Sequence, residues 1–407
     1  MNAAKFVATA TAIGFGLMTG SPAFAQKKYD VGASDTEIKI GNTVAYSGPV
    51  SSLGVVARIE AAYFRKINDE GGVNGRKVAF VSYDDAYSPP KAVEQVRKLI
   101  ESDEVLALFN PVGTASNAAI QKYMNSKKIP QLFVGSGATR WDDPKDFPWT
   151  MGWQPNYQNE GKIYAKYLLK ERPQGKIAIL YQNDDLGKDY LKGLKEGLGD
   201  RTSMIVAEQS YEATEPTVDS HLVTLKASGA DALISIALPK VAAQSIRKVA
   251  EMGWKPLFIL SSIGSSIGSV IRPVGFDKAQ GIISTAYLKD PFDPQWKDDA
   301  GMARFNEFLA KYAPDVDKND FFVVYGYGVA QTMVRVLQQC GDELTRVNIM
   351  KQAANLRDFS PDVLLPGIVI NTSSSDFAPI EEMRMIRLEG ERWQTFGDVV
   401  SSDAKRR

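Results

Sequence analysis

From Glu37 onward, short apolar runs alternate with amphipathic helical patterns, and this alternation constrains the fold more than any other feature of the chain. Residues 38–44 read as a strand and 54–69 as a helix. Gly71-Gly72 ends that helix, Asn74-Gly75 turns the chain, and 77–83 is the next strand. A helix opened by Pro89-Pro90, a strand at 105–109, a helix at 114–125 and a strand at 131–134 complete a first series. A second series of similar size follows a Pro- and Trp-rich connection at 147–155, with strands at 176–181, 204–208, 232–236 and 256–260 separated by helical patterns. Beyond it lie a strand at 282–286, helices at 302–311 and 322–339, and a hairpin of 383–388 with 392–396. The pattern predicts an α/β protein of two doubly wound lobes, each a parallel sheet with helices on both faces.

The N-terminus does not belong to that pattern. Lys5, an apolar stretch over 6–18 and Ala23-Phe24-Ala25 form the basic, hydrophobic and A-x-A parts of a signal peptide, expected to be removed after residue 25. Thirteen residues rise only about 20 Å as a helix, short of the roughly 30 Å hydrocarbon core. No Cys follows the cleavage site, so the expected product is a periplasmic protein without a lipid anchor.

Composition removes several function classes. With 48 Lys plus Arg against 48 Asp plus Glu, the chain lacks the basic field that nucleic-acid binding needs. One His (His221) and one Cys (Cys340) leave no internal disulfide and no multi-ligand His/Cys metal site, and no cofactor is expected. Gly264-Ser265-Ser266-Ile267-Gly268 matches a nucleophile elbow, but a secreted serine hydrolase built on Ser266 would need a later His, and His221 comes before it. No P-loop is present, and Gly135-Ser136-Gly137 lacks the third glycine of a dinucleotide fingerprint. Asp84-Asp85 and Asp184-Asp185 stand at strand ends, where carboxylates cap turns and helices more often than they do chemistry. Four small-residue loops, at 46–49, 111–114, 135–138 and 261–264, follow strands and feed helices. Such loops on one sheet edge point to a ligand cleft, with helix N-termini suited to a carboxylate.

Ser47-Gly48-Pro49, the run Ile67-Asn68-Asp69-Glu70-Gly71-Gly72-Val73-Asn74-Gly75-Arg76-Lys77-Val78, and Tyr83-Asp84-Asp85 resemble the leucine/isoleucine/valine-binding class of periplasmic solute-binding proteins, the receptors of ABC importers. The resemblance covers nearly all of the chain after residue 25 and is strongest over the first hundred residues. It implies a non-enzymatic monomer that closes two lobes on a small carboxylate and delivers it to an inner-membrane permease. A co-receptor that presents ligand to a membrane signalling protein would share the same fold. Three crossovers are expected near Thr150, Ile283 and Pro361, making one lobe of 36–150 plus 284–360 and the other of 151–283 plus 361–400. The loops holding Gly113, Thr114, Ser136, Gly137 and Ala138 match those that grip a ligand carboxylate in the family. Ser262 falls near the family's ammonium-binding Glu, and Leu53 and Leu238 replace two family tyrosines. These departures argue against an α-amino acid, whereas Asp185, beside the family contact at Leu186, could accept an ammonium. Tyr287 and Phe322 belong to an aromatic set that either lines a flat pocket or, at helical spacing, forms core. Amino acid and aromatic or aliphatic acid both stay open as ligands.

Overall fold

The computed structural model describes residue 1 and residues 27–401; the expected signal peptide, 1–25, lies outside the described residues apart from Met1. A short strand β1 (Lys28–Tyr29) precedes β2 (Glu37–Val44), α1 (Gly54–Asp69), β3 (Lys77–Asp84), α2 (Pro89–Glu101), β4 (Ala107–Phe109), α3 (Thr114–Lys127), β5 (Gln131–Val134) and β6 (Thr150–Gly152). Strands β2 to β6 form one parallel sheet in the order β3-β2-β4-β5-β6.

The second series runs α4 (Tyr157–Glu171), β7 (Ile177–Gln182), α5 (Asp185–Leu198), β8 (Ile205–Tyr211), α6 (Asp219–Ala227), β9 (Ala232–Ile236), α7 (Pro239–Glu251), β10 (Leu257–Leu260), the short α8 (Arg272–Val274) and α9 (Phe276–Ala279), and β11 (Ile283–Ala286). The chain then forms α10 (Ala300–Tyr312), α11 (Phe321–Cys340), β12 (Glu343–Leu344), which pairs with β1, α12 (Arg346–Ala353), and the hairpin β13 (Glu382–Glu389) and β14 (Arg392–Ser401). The second sheet has the order β14-β13-β11-β10-β9-β7-β8, antiparallel only at the hairpin.

Local chemistry accounts for these elements. On α1 the buried Val56, Ile59, Tyr63 and Phe64 recur at helical spacing, and each side chain so buried contributes about 1.5–3 kcal/mol. Gly71 and Gly72 end the helix at φ 102° and 78°. A Cβ on Gly72 would stand 2.2 Å from the Arg76 carbonyl oxygen, so only glycine fits there. Helix α11, almost wholly buried, packs across α1, where Gly326 lets the two backbones approach.

Two expected lobe boundaries move. Residues 284–286 belong to the second sheet, because β11 pairs with β10 and β13, so the chain leaves that sheet after Ala286. Residues 361–372, expected in the second lobe, pack on the first. There Tyr327 and Gln331 donate to Asp362, Arg304 pairs with it, and Thr372 donates to the Ala353 carbonyl at the end of α12. In the first sheet the connections run in opposite directions on either side of β2, between β3 and β4; in the second sheet the same happens at β7. Crevices at the carboxyl ends of strands flanking such reversals are where open α/β sheets bind ligands.

Candidate functional site

A cavity of about 340 Å³, part of it open to solvent, lies between the lobes at those strand ends. Leu53 comes from the loop after β2, Val112, Gly113 and Thr114 follow β4, and Gly135 follows β5. The second lobe contributes Tyr157 from the start of α4, Leu186 from α5, Leu238 before α7 and Ile263 after β10; Phe322 of α11 closes the wall. Tyr87 and Gln154 complete the lining, which contains no charged side chain.

One set of polar groups gathers at the start of α3. Gly113 precedes α3 at φ 113°, a conformation that suits glycine, and no side chain caps the helix. The first-turn N–H groups of α3 therefore lack partners within the helix. Thr114 Oγ1 and Ser136 Oγ lie 2.8 Å apart, so one hydroxyl proton joins them and the other can donate to the Tyr157 oxygen or to a ligand. Burial pushes the Tyr157 phenol up to about 12, against the pull of the Gly137 amide and the Ser136 and Thr114 hydroxyls, leaving it a neutral donor near pH 7. Gly137 is required: a Cβ there would stand 2.5 Å from the Pro155 carbonyl oxygen. The rest of the cavity wall is mostly apolar, Leu53, Val112, Leu186, Leu238, Ile263 and Phe322 with Gly135, and adds only the neutral polar side chains of Tyr87 and Gln154. Neutral donors at a helix N-terminus beside an apolar chamber can hold one carboxylate and its hydrocarbon body.

Of the twelve residues singled out from sequence, Leu53, Gly113, Thr114, Leu186, Leu238 and Phe322 line this cavity. Ser136 and Gly137 stand directly behind it, on Thr114 and Tyr157. Ala138 and Asp185 sit in a separate recess at the rim, where Asp185 pairs with Arg140 at 2.9 Å across the lobes. Tyr287 is buried against Trp153 and Phe321, outside the lining, as core.

Ser262 is turned away as well. Its N–H and hydroxyl both donate to the buried Glu160 at 2.8 Å, and Thr285 (3.0 Å), Tyr190 (2.7 Å) and Tyr164 donate to the same carboxylate. Glu160 thus has five donors and no basic partner.

Sequence reasoning missed Tyr87, Gln154, Tyr157 and Ile263. The signal for Tyr87 lay in Asp84-Asp85. Asp84 accepts the Tyr46, Ser47 and Ala86 N–H groups and the Ser47 hydroxyl. Burial opposes its charge, yet these bonds from Ser47, Ala86 and Tyr46 outweigh it and hold the carboxyl below its ordinary value. Asp85 accepts the Tyr87 N–H at 2.8 Å, and Ala86 and Tyr87 are thereby fixed at φ 49° and 58°, which swings the Tyr87 ring into the cavity. Asp184 caps α5 through the Leu186 N–H at 3.0 Å. Ser266 donates to Asp320, while His221 bonds Glu215 and Gln209, so the two do not meet as a nucleophile and base.

The lobes touch around the cavity. Thr139 donates to Asp189 through N–H (2.7 Å) and hydroxyl (3.0 Å), and Gln182 donates to the Tyr87 hydroxyl at 3.4 Å. On the other side the Gly268 N–H meets the Asn319 carbonyl at 3.0 Å. The cleft is closed.

The model of the periplasmic binding protein family matches residues 37–392. The Leu/Ile/Val-binding protein homolog 7 of Brucella suis is 25% identical over 270 residues, 63% of this chain and 65% of that protein. The matched part therefore spans slightly less than two thirds of that relative. Among solved structures, a branched chain amino acid ABC transporter protein from Thermus thermophilus with bound valine has a TM-score of 0.81 at 15% identity, covering 90% of this chain and 97% of that one. A fatty acid ABC transporter substrate-binding protein from Thermomonospora curvata has a TM-score of 0.77 at 20% identity, covering 92% and 95%. With its two doubly wound lobes closed on a cleft at the strand ends, the chain belongs to the periplasmic binding protein family.

Proposed function

We propose that this protein is the extracytoplasmic substrate-binding component of an ABC importer, capturing a small carboxylate with an apolar body and delivering it to an inner-membrane permease. The observation that carries the ligand class is the cavity lining, which has neutral donors at one end and no charged side chain anywhere. An α-ammonium would enter that chamber without a carboxylate to meet it, and an unpaired buried charge is costly. Asp185 is engaged by Arg140 outside the lining, and Ser262 by Glu160. The site thus suits an organic acid lacking the amine. The proteins of similar fold named above are described with valine in one case and as a fatty acid transporter component in the other, a range that spans both ligand classes.

The role needs no chemistry on the ligand. Closure is favoured only as far as the ligand prefers the closed lobes, and the permease would recognise that form.

The test is a thermal-shift and titration panel on protein unfolded and refolded to strip bound ligand. Leucine, isoleucine and valine are compared with 4-methylpentanoate, hydroxybenzoate and phenylpropenoate. A ligand at about 1,000 times its Kd stabilises by about 4 kcal/mol. Shifts with the amine-free acids alone support the reading. Shifts with the amino acids alone overturn the ligand class and leave a branched-chain amino acid as the cargo.

A further inference from the structure

A second recess, of about 590 Å³ and partly open to solvent, lies beside the segments that cross between the lobes and shares no lining residue with the cleft cavity. Its walls come from both lobes. Phe321 and Val324 belong to α11, Ile386 and Trp393 to the terminal hairpin, and Leu288 and Leu365 to the crossing segments. These make a largely apolar chamber, lined also by two side chains that each keep one acceptor oxygen without a donor.

Asn319, 8% exposed, lines the recess with its Oδ1 shielded from solvent and without a hydrogen-bond donor; its Nδ2 donates to Asp317 at 2.7 Å. Asp290 Oδ2 is equally shielded and has no donor, while its other oxygen accepts the Phe292 N–H at 3.0 Å. The remaining charges in the lining are neutralised: Lys289 pairs with Asp299 at 2.8 Å, and Asp293 with Arg392 at 3.6 Å. Asp290 is left as the carboxylate without a cation. Burial accordingly raises it above the ordinary carboxylate range, against the opposing pull of the Phe292 and Trp393 amides.

Two residues that each keep a shielded acceptor without a donor, one of them an uncompensated carboxylate, line an aromatic and aliphatic chamber. We propose that this recess is a second small-molecule site, taking an amphipathic amine whose ammonium donates to Asp290 and Asn319 and whose hydrocarbon body lies on Phe321, Val324 and Trp393. The selectivity is opposite to that of the cleft, where neutral donors await an anion. The proposal is independent of the transport reading, since it uses none of the cleft residues.

Benzylamine is the probe, titrated into the full-length protein by calorimetry, with benzoate and benzyl alcohol in parallel. The expected result is saturable one-to-one binding of benzylamine that benzoate does not compete away. Asp290→Asn should weaken it tenfold or more, as loss of a hydrogen bond between charged groups does. Thr395→Trp, on the terminal strand at the recess wall, should weaken it comparably by filling the chamber. Thermal melts of both variants establish that they fold, and the edge position of Thr395 makes it the safer of the two. Absence of saturable benzylamine binding overturns the proposal. So does binding that either folded variant leaves unchanged, since that places the amine elsewhere.

Discussion

The two serine-bearing loops that face each other across the molecule use the same chemistry to opposite ends. In the first lobe Thr114 and Ser136 bond to each other at the uncapped start of α3, and one hydroxyl proton is left to donate. In the second lobe Ser262 spends both its N–H and its hydroxyl on Glu160, which is buried and surrounded by five donors. A polar group satisfied by the fold stabilises the fold; one left with a free donor can serve a ligand. The cleft of this protein therefore sets available donors at the start of α3 beside a mostly hydrocarbon, uncharged wall.

The comparison breaks most directly at Glu160. Glu160→Gln places an amide donor among groups that all donate, so unfolding in urea should show a loss of about 3–5 kcal/mol. A variant as stable as the parent would mean that the five donors find other acceptors. Asp85, in the neighbouring loop after β3 that sets Tyr87, carries the next largest effect. Asp85 is buried and its carboxyl is raised to about 6, burial being the first cause. The folded state then holds a proton that the unfolded chain, with a carboxyl near 3.9, gives up earlier. Stability should fall as pH rises from about 4 to 6, by on the order of 3 kcal/mol from this group, and level off above. Comparing the pH–stability curves of the parent and Asp85→Asn isolates that slope, and parallel curves would remove Asp85 as its source.

Ligand binding, read on variants whose folding is checked by thermal melts, separates the two loops. Thr114→Val with Ser136→Ala should weaken carboxylate binding tenfold or more, at roughly 1.5–3 kcal/mol per hydrogen bond to charge. Equal affinities in a titration would place the carboxylate elsewhere in the cavity. The smallest effect is at the rim. The Arg140–Asp185 pair joins the lobes but is about a third to a half exposed, so Arg140→Ala should change the open–closed balance by less than about 1 kcal/mol, and salt should mask the change. Small-angle scattering of the ligand-free protein at low and high salt would detect it; a large opening would show that the rim, and not the ligand, holds the lobes together.

Much of the fold could be read because its signals are local. Gly71-Gly72 and Asn74-Gly75 act through φ values that few other residues adopt, and the strand–helix alternation needs only neighbouring side chains. The loops carrying Gly113 and Thr114 announced themselves in the same way. Tyr87 and Tyr157 did not, because a tyrosine after a strand or at a helix start reads as core until its surroundings are known. The lobe boundary near 361 was misplaced for the same reason, since Asp362 is held by Arg304, Tyr327 and Gln331, residues 31 to 58 positions earlier.

The sequence alone determined two doubly wound lobes and the small-residue loops at the strand ends, because each follows from residue type and short-range spacing. Only the tertiary structure decided which polar groups remain available to a ligand. Availability depends on what stands opposite: Glu160 consumes Ser262, Arg140 consumes Asp185, and Asp290 and Asn319, each with an acceptor lacking a donor, line one recess beside the crossing segments and the terminal hairpin. Such pairings join residues tens to hundreds of positions apart, and no local pattern encodes them.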